Sequence, residues 1–189
     1  MSVKIIKHEG GIYNLYAKQT VDKEIDFLWD FFSKPRNLNK LTPEDVHFKI
    51  ISGESDDFYE GKIISYKIKP FKLVALNWVT EISQVKEGSY FIDNQIFGPY
   101  KMWHHEHHFK RNDNGTTEII DNVKYKVPFY ILGRLIHKIF IRRKLFKIFM
   151  FRQKKLMSYL TICYHENHFI NNHNNNYLIS NVFIRKFFK

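Results

Sequence analysis

The stretch QIFGPYKMWHHEHHF, Gln95 to Phe109, carries four histidines and a glutamate in five consecutive positions. Imidazole and carboxylate groups hold transition metals and move protons near neutral pH. What they can do here depends on which face each occupies. Side chains alternate along a strand, so Trp103, His105, His107 and Phe109 share one face. Met102, His104, Glu106 and His108 share the other. The aromatic flanks mark the first set as the inward one. His105 and His107, two residues apart, could both reach one metal ion, but a metal needs at least a third ligand. Asp93, Gln95 and Asp121 on neighbouring strands are the candidates. The same groups could instead transfer protons. The plain alternative is a pair of hydrogen-bonded core or cavity histidines, and it is the expectation: no metal and no cofactor is assigned. The outer set is expected to face water.

Register decides whether Asp93 and Gln95 join the inner pair. An odd number of loop residues at Gly98-Pro99 puts them on the face of His105 and His107. A loop of two or four puts them with Met102 and His104, and a β-bulge reverses either answer. On the last strand Asp121, Val123, Tyr125 and Val127 alternate together. An aspartate and a tyrosine facing a cavity would form the polar end of an apolar pocket. A buried hydrogen bond that only holds the sheet is the alternative. Ile64, Tyr66, Ile68, Trp78 and Ile82 are expected to add apolar wall.

The elements that position these residues follow from periodicity and turn signals. GGIYNLYAKQTV alternates and is β-rich, a first strand. DKEIDFLWDFFS follows, with Asp22 as a helix cap and Ile25, Leu28, Trp29 and Phe32 on one helical face. Pro35 opens a second short helix that ends before Pro43. Six β-branched or aromatic segments come next, beginning at VHFKIIS and ending at TTEIIDNVKYKV. They are separated by SGESDD, KPF, KEG, FGP and NDNG. From Tyr130 to Leu160 there is no proline, and Leu132, Leu135, Ile136, Ile139, Phe146, Phe149, Met150, Leu156, Met157 and Leu160 recur at helical spacing. This is one long helix, and Leu135 and Ile139 are its expected contribution to the cavity. The order predicts an α+β fold: a seven-stranded curved antiparallel sheet wrapped around a long C-terminal helix, with two short helices after strand 1. Residues 1–160 form the domain. Residues 161–189, Asn-rich and without a clear period, read as a poorly ordered tail.

The net charge is +11, with 30 Lys+Arg against 19 Asp+Glu. It is concentrated: residues 130–160 hold Arg134, Lys138, Arg142, Arg143, Lys144, Lys147, Arg152, Lys154 and Lys155 and no acidic residue. Ile141, Leu145, Ile148 and Phe151 lie among these charges, outside the apolar stripe. A helix of this kind suits an anionic bilayer surface. Nucleic acid is a rival partner on charge alone, but no RNA-binding signature is present. A merely solvated face is the third reading. The contacts to lipid or anion would come from Arg134, Lys138, Arg142, Arg143, Lys144 and Lys147. The N-terminus has no apolar run of the signal-peptide kind. No apolar stretch reaches the roughly 18 residues that cross a bilayer. The single cysteine, Cys163, excludes an intrachain disulfide and a cysteine metal cluster. These features fit a cytoplasmic protein, peripheral to the inner membrane if the basic helix binds lipid, and a monomer. There is no G-x-G-x-x-G, P-loop or G-x-S-x-G, and no Cys–His nucleophile spacing.

The element order resembles the helix-grip fold of the START-like, birch-pollen-allergen-like superfamily. The motifs are similar to those of a bacterial branch, the SRPBCC proteins, some of which are described as cell-division inhibitors. The matching positions are Phe91, Asp93 and Gln95. They continue with Gly98, Pro99, Tyr100, Trp103, His105, His107 and Phe109, and then Gly115, Thr116, Asp121, Val123, Tyr125, Pro128, Leu132 and Gly133. Where the branch has a glycine shortly after the proline, this chain has Tyr130. The resemblance covers roughly residues 10–158 and implies a ligand-binding fold with an apolar cavity. The resemblance is to a superfamily that includes lipid carriers, ubiquinone-binding proteins, polyketide cyclases and aromatic-ring oxygenase domains. The expected function is therefore binding or transport of a hydrophobic small molecule (lipid, quinone or polyketide-like). The ligand would lie against Tyr66, Trp78, Asp93, Gln95, Trp103, His105, His107, Asp121, Tyr125, Leu135 and Ile139. The alternatives are an acid–base enzyme of the cyclase or hydratase kind, using His105 or His107 with Asp93 or Asp121, and a regulatory interaction protein acting on cell division. A non-enzymatic binder is the leading expectation.

Overall fold

A computed structural model describes residues 1–71 and 74–161. The tail expected over 161–189, with Cys163, lies outside the described residues apart from Thr161. The chain divides into two compact units, 1–154 and 155–189. In the second, residues 155–161 are helical.

The first unit is built on an eight-stranded antiparallel sheet of order β1-β2-β8-β7-β6-β5-β4-β3. The strands are β1 (Ser2–Lys7), β2 (Ile12–Val21), β3 (Lys49–Ser52), β4 (Ile63–Phe71), β5 (Val74–Lys86), β6 (Tyr90–Phe97), β7 (Met102–Arg111) and β8 (Thr117–Lys126). The strand not anticipated is β1. The segment SVKIIK pairs with β2, and its alternating Val3 and Ile5 pack on the core, a short β signal the reading passed over. Between β2 and β3 lie α1 (Ile25–Phe32) and a 3-10 helix, Pro35–Leu41. Asp22 does not cap α1. The cap position is Glu24, and it makes no side-chain cap bond. Leu28 and Phe31 are the buried residues of α1.

After β8 the chain turns at Pro128 and becomes helical. Helix α2 (Tyr130–Ile136) runs into a π-helical turn (His137–Ile141) and continues as α-helix from 142 to 161. The helix is where expected, and of its expected stripe Phe149, Leu156 and Leu160 are buried, but the N-terminal part is not. Leu132, Leu135, Ile136, Ile139 and Phe146 are exposed. Leu145, from outside that stripe, joins Phe149 on Tyr13, Leu15, Trp103, Val123 and Tyr125, with Ile141 and Ile148 beside them. Two local features set this phase. Gly133 is buried, and a Cβ there would stand 1.8 Å from the Pro128 carbonyl oxygen, so only glycine permits this approach. The π turn then adds a residue to one turn and shifts the apolar period.

A second cluster, Ile50, Ile64 and Ile82 with Phe48, Phe58 and Tyr66 against it, closes the far end of the sheet. Bulges in the β5–β6 pairing, between Val79/Thr80 and Ile82/Gln84, strengthen the local twist. Between the two clusters the sheet and the helix do not meet.

Candidate functional site

That gap is a cavity of about 270 Å³. Its walls are aromatic and aliphatic: Phe31 and Leu41 from the short helices, Tyr66 and Trp78 from β4 and β5, Tyr100 ahead of β7 and Trp103 in it, and Leu145, Ile148 and Phe149 from the C-terminal helix. Asp93, His105, His107 and Arg152 line it as well. One wall of an apolar chamber is thus made of charged groups.

The register brings those groups together. Asp93 pairs with His105, and Phe91 with His107, across β6 and β7. On the other side His107 pairs with Asp121. Asp93, His105, His107 and Asp121 therefore project from three adjacent strands onto one face. The two imidazoles lie against each other, ring centroids 3.7 Å apart, and a carboxylate stands at each end of the pair. Asp93 Oδ2 is 2.8 Å from His107 Nε2 and 3.5 Å from His105 Nδ1. Asp121 Oδ1 is 2.9 Å from His105 Nε2 and 3.3 Å from His107 Nδ1. Arg152, from the helix, approaches Asp121 Oδ1 at 3.9 Å. Phe91 stacks on His107 at 4.1 Å.

These contacts divide the protons. Burial pushes His105 down to about 4, and the neighbouring His107 charge adds to this against the pull of Asp93 and Asp121. Burial also acts on His107, but hydrogen bonds to Asp121 and Asp93 outweigh it and raise its pKa. Burial alone would raise both carboxyls. The charge of His105 and the hydrogen bond from His107 hold Asp93 below its usual range. Arg152, with His105 and His107, holds Asp121 well below its own. The two carboxyls are thus favoured as carboxylates, His105 as the neutral ring, and His107 as the ring that holds a proton more readily.

Several expected ligand contacts fall elsewhere. Leu135 and Ile139 are 54% and 44% exposed and do not line the cavity, because the helix presents its Ile141–Leu145–Ile148 face inward. Gln95 is taken up by the turn: its Nε2 donates to the Tyr100 carbonyl at 2.7 Å, and the Tyr100 N–H donates to its Oε1 at 3.2 Å. A Cβ at Gly98 would stand 2.5 Å from that Oε1, so the Gly-Pro turn and Gln95 form one unit. Tyr125 is fully buried in the core, where its hydroxyl is hydrogen-bonded to His137 Nε2 at 2.8 Å. Asp121 stands behind the histidines and does not line the cavity. Tyr66, Trp78, Asp93, Trp103, His105 and His107 do line it. The indole N–H of Trp78 is buried without a protein partner.

Arg152 and His137 carry polar roles that the sequence reading missed. Arg152 reads there as one basic residue among nine. Its place one turn after Ile148 and Phe149, with Ile141 and Leu145 before them, is the signal the sequence offers. On the outer face, His104, Glu106 and His108 are half-exposed. Glu106 ties them together, at 3.1 Å to His104 Nε2 and 3.0 Å to His108 Nε2, and also accepts from Asn122 and Lys124. Burial there is outweighed by those partners, His108 first, and Glu106 is brought down to about 2. Of the basic residues, Lys144 pairs with Asp45 at 2.5 Å, whereas Lys138, Arg142, Arg143 and Lys147 are exposed.

No protein-family model matches the chain, and no curated protein matches it. Solved structures do. Protein Ms6760 from Mycobacterium smegmatis is similar with a TM-score of 0.60 at 13% identity, covering 86% of this chain and 99% of that one. The ginseng major latex-like protein 151 from Panax ginseng is similar with a TM-score of 0.58 at 11% identity, covering 79% and 98%. Ara h 8.0201 is similar with a TM-score of 0.53 at 14% identity, covering 78% and 99%. At these identities the likeness is one of fold, and the chain has the helix-grip fold of the birch-pollen-allergen-like proteins.

Proposed function

We propose that the protein binds a hydrophobic small molecule, a lipid, quinone or polyketide-like compound, in the cavity between sheet and C-terminal helix. The observation that carries this reading is the cavity itself: apolar and aromatic walls with one polar side. Apolar area excludes water and drives binding, and a few placed polar groups orient the ligand. Trp78 supplies an unpaired donor, and Asp93, His107 and Arg152 supply charge. The neighbours of this fold include a major latex-like protein and Ara h 8.0201, which supports a binding role in general terms. The test is native mass spectrometry of protein purified from cells, with organic extraction of what it carries. A bound apolar compound is expected, displaced by Leu145→Trp, which fills the chamber. Protein that holds no apolar ligand from lysate and takes up none of a panel of fatty acids, naphthoquinones and polycyclic phenols would overturn the reading.

The finer reading places this binding at a membrane. The outer surface of the C-terminal helix exposes Phe129, Ile131, Leu132, Leu135 and Phe140 beside Lys138, Arg142, Arg143 and Lys147. Apolar residues flanked only by positive charge suit an anionic interface. No helix among the described residues is long and apolar enough to cross a membrane, so the association would be peripheral. Such a protein would work from the cytoplasm as a monomer.

A second reading, acid–base catalysis, is favoured by one observation: His107 and Asp93, 2.8 Å apart, both face the cavity. His107→Ala separates the two, abolishing turnover in an enzyme and only shifting affinity in a carrier. A role in cell division rests on the Gly98–Phe109 and Gly115–Gly133 motifs alone, and a pull-down from cells tests it.

A further inference from the structure

We propose that Asp93, His105 and His107 form a binding site for one divalent transition-metal ion, with Asp121 as the partner that orients both histidines. The three side chains each offer one ligand atom, and those atoms lie within 4.8 Å of one another. Two histidines and one carboxylate are a ligand set that Zn²⁺ and Fe²⁺ both accept. Ligand atoms around a tetrahedral ion with bonds of about 2.0–2.1 Å stand about 3.3 Å apart. Asp93 Oδ2 is already 2.8 Å and 3.5 Å from the two imidazole nitrogens that face it. The two rings lie against each other, 33° from parallel, so side-chain rotation that turns both nitrogens toward Asp93 Oδ2 would admit the ion in place of the proton between His107 and Asp93.

Asp121 is the second, independent observation. A metal-ligating histidine ordinarily donates its other ring N–H to a carboxylate, which fixes the tautomer and the ring plane. Here the nitrogens turned away from Asp93 are His105 Nε2 and His107 Nδ1. Both face a single oxygen, Asp121 Oδ1, at 2.9 Å and 3.3 Å. Arg152 braces that carboxylate. The arrangement is asymmetric in the way a metal site requires. Asp93, His105 and His107 open on the cavity, whereas Asp121 sits behind them. An ion on the cavity side would keep open positions toward the chamber. With two carboxylates, one arginine and neutral histidines around it, a dication leaves one positive charge. That favours an oxygen anion of the cavity ligand, or a water, as the remaining ligand. A purely structural His–Asp network needs neither the common oxygen behind the rings nor the opening in front.

The inference does not depend on the identity of the organic ligand, and its test uses the metal alone. Chelator-stripped full-length protein is titrated with Zn²⁺ by calorimetry and with Co²⁺ by visible absorption. One ion per chain is expected. Co²⁺ should also quench tryptophan emission, because the Trp103 ring is 6.1 Å from His105. Asp93→Asn and His107→Gln should each weaken Zn²⁺ binding at least ~100-fold, and Asp121→Asn by ~10–100-fold through the lost orientation. The double variant His104→Ala/His108→Ala is the control for the outer Glu106 cluster and should bind as the parent does. The parent titration needs no variant to fold. Absence of stoichiometric binding in the parent overturns the site. So does binding that survives Asp93→Asn in folded protein, or binding lost only in the outer-face variant.

Discussion

His105 and His107 have the same chemistry, neighbouring positions and the same two carboxylate partners, yet they titrate in opposite directions. Two adjacent imidazolium rings repel, so the pair carries one proton more readily than two. Asp121 holds the other half of this balance. Asp121→Asn removes the carboxylate that both rings and Arg152 share. It should lower the His107 pKa, seen by NMR titration, and cost about 3 kcal/mol of stability in urea unfolding, because it leaves a largely buried guanidinium without its partner. An unchanged His107 titration would show that Asp93 alone sets it. Tyr125 offers a simpler case. Its hydroxyl is hydrogen-bonded to His137, which burial and the Arg142 charge push down to about 4, so the ring is neutral. Tyr125→Phe should destabilise by about 1–3 kcal/mol, the cost of leaving the buried ring nitrogen without its partner. A loss under a few tenths of that would mean water replaces the phenol.

The C-terminal helix is apolar on more than one face, so its periodicity could not say which face turns inward. Gly133 and the π turn decide it. Gly133→Ala would drive a methyl into the Pro128 carbonyl and should cost several kcal/mol or shift the start of the helix, measurable by thermal unfolding. The outward face makes a separate prediction. Leu135→Asp with Phe140→Asp should leave the melting temperature nearly unchanged, because both positions are exposed. Co-sedimentation with phosphatidylserine-rich vesicles should fall by at least ~10-fold, and neutral vesicles should bind the parent weakly at any salt. Phe129 belongs to the same surface. It is 76% exposed and holds φ +62°, a left-handed conformation that bulky residues avoid. Retained vesicle binding in the double variant would remove the membrane reading.

At the scale of the molecule, pH couples these groups to stability. An ordinary histidine titrates at 6.5, and in the native protein His105 and His137 titrate at about 4. Between those values the unfolded chain takes up protons that the native state refuses, so stability falls as pH drops from 6.5 toward 4. Asp93 and Asp121, held low, extend the loss further into acid. His107 has the opposite sign: its contribution is complete below 6.5 and is lost as pH rises through its raised native value. A maximum near neutral pH should appear in melting temperatures measured from pH 4 to 9, with the acid limb flattened in His137→Gln. A flat profile between pH 7 and 4.5 would contradict the buried, neutral state of both histidines.

Strand alternation alone separated Trp103, His105, His107 and Phe109 from the outer set, because a two-residue period has only two answers. It likewise grouped Asp121 with Tyr125, and the run of turn signals was enough for an antiparallel sheet closed by one long helix. Three matters were settled only in three dimensions. Pairing across β6 and β7 put Asp93 opposite His105, which loop length in the sequence left open and which bulges could have reversed. Gln95, on the same side by count, was drawn into the Gly98 turn by two hydrogen bonds. The helix turned Ile141, Leu145 and Ile148 inward in place of Leu135 and Ile139, because one glycine and one π turn rotated its first half against the sheet. A pattern along the chain records which residues can share a face. Which faces meet depends on close backbone approaches that no periodicity contains.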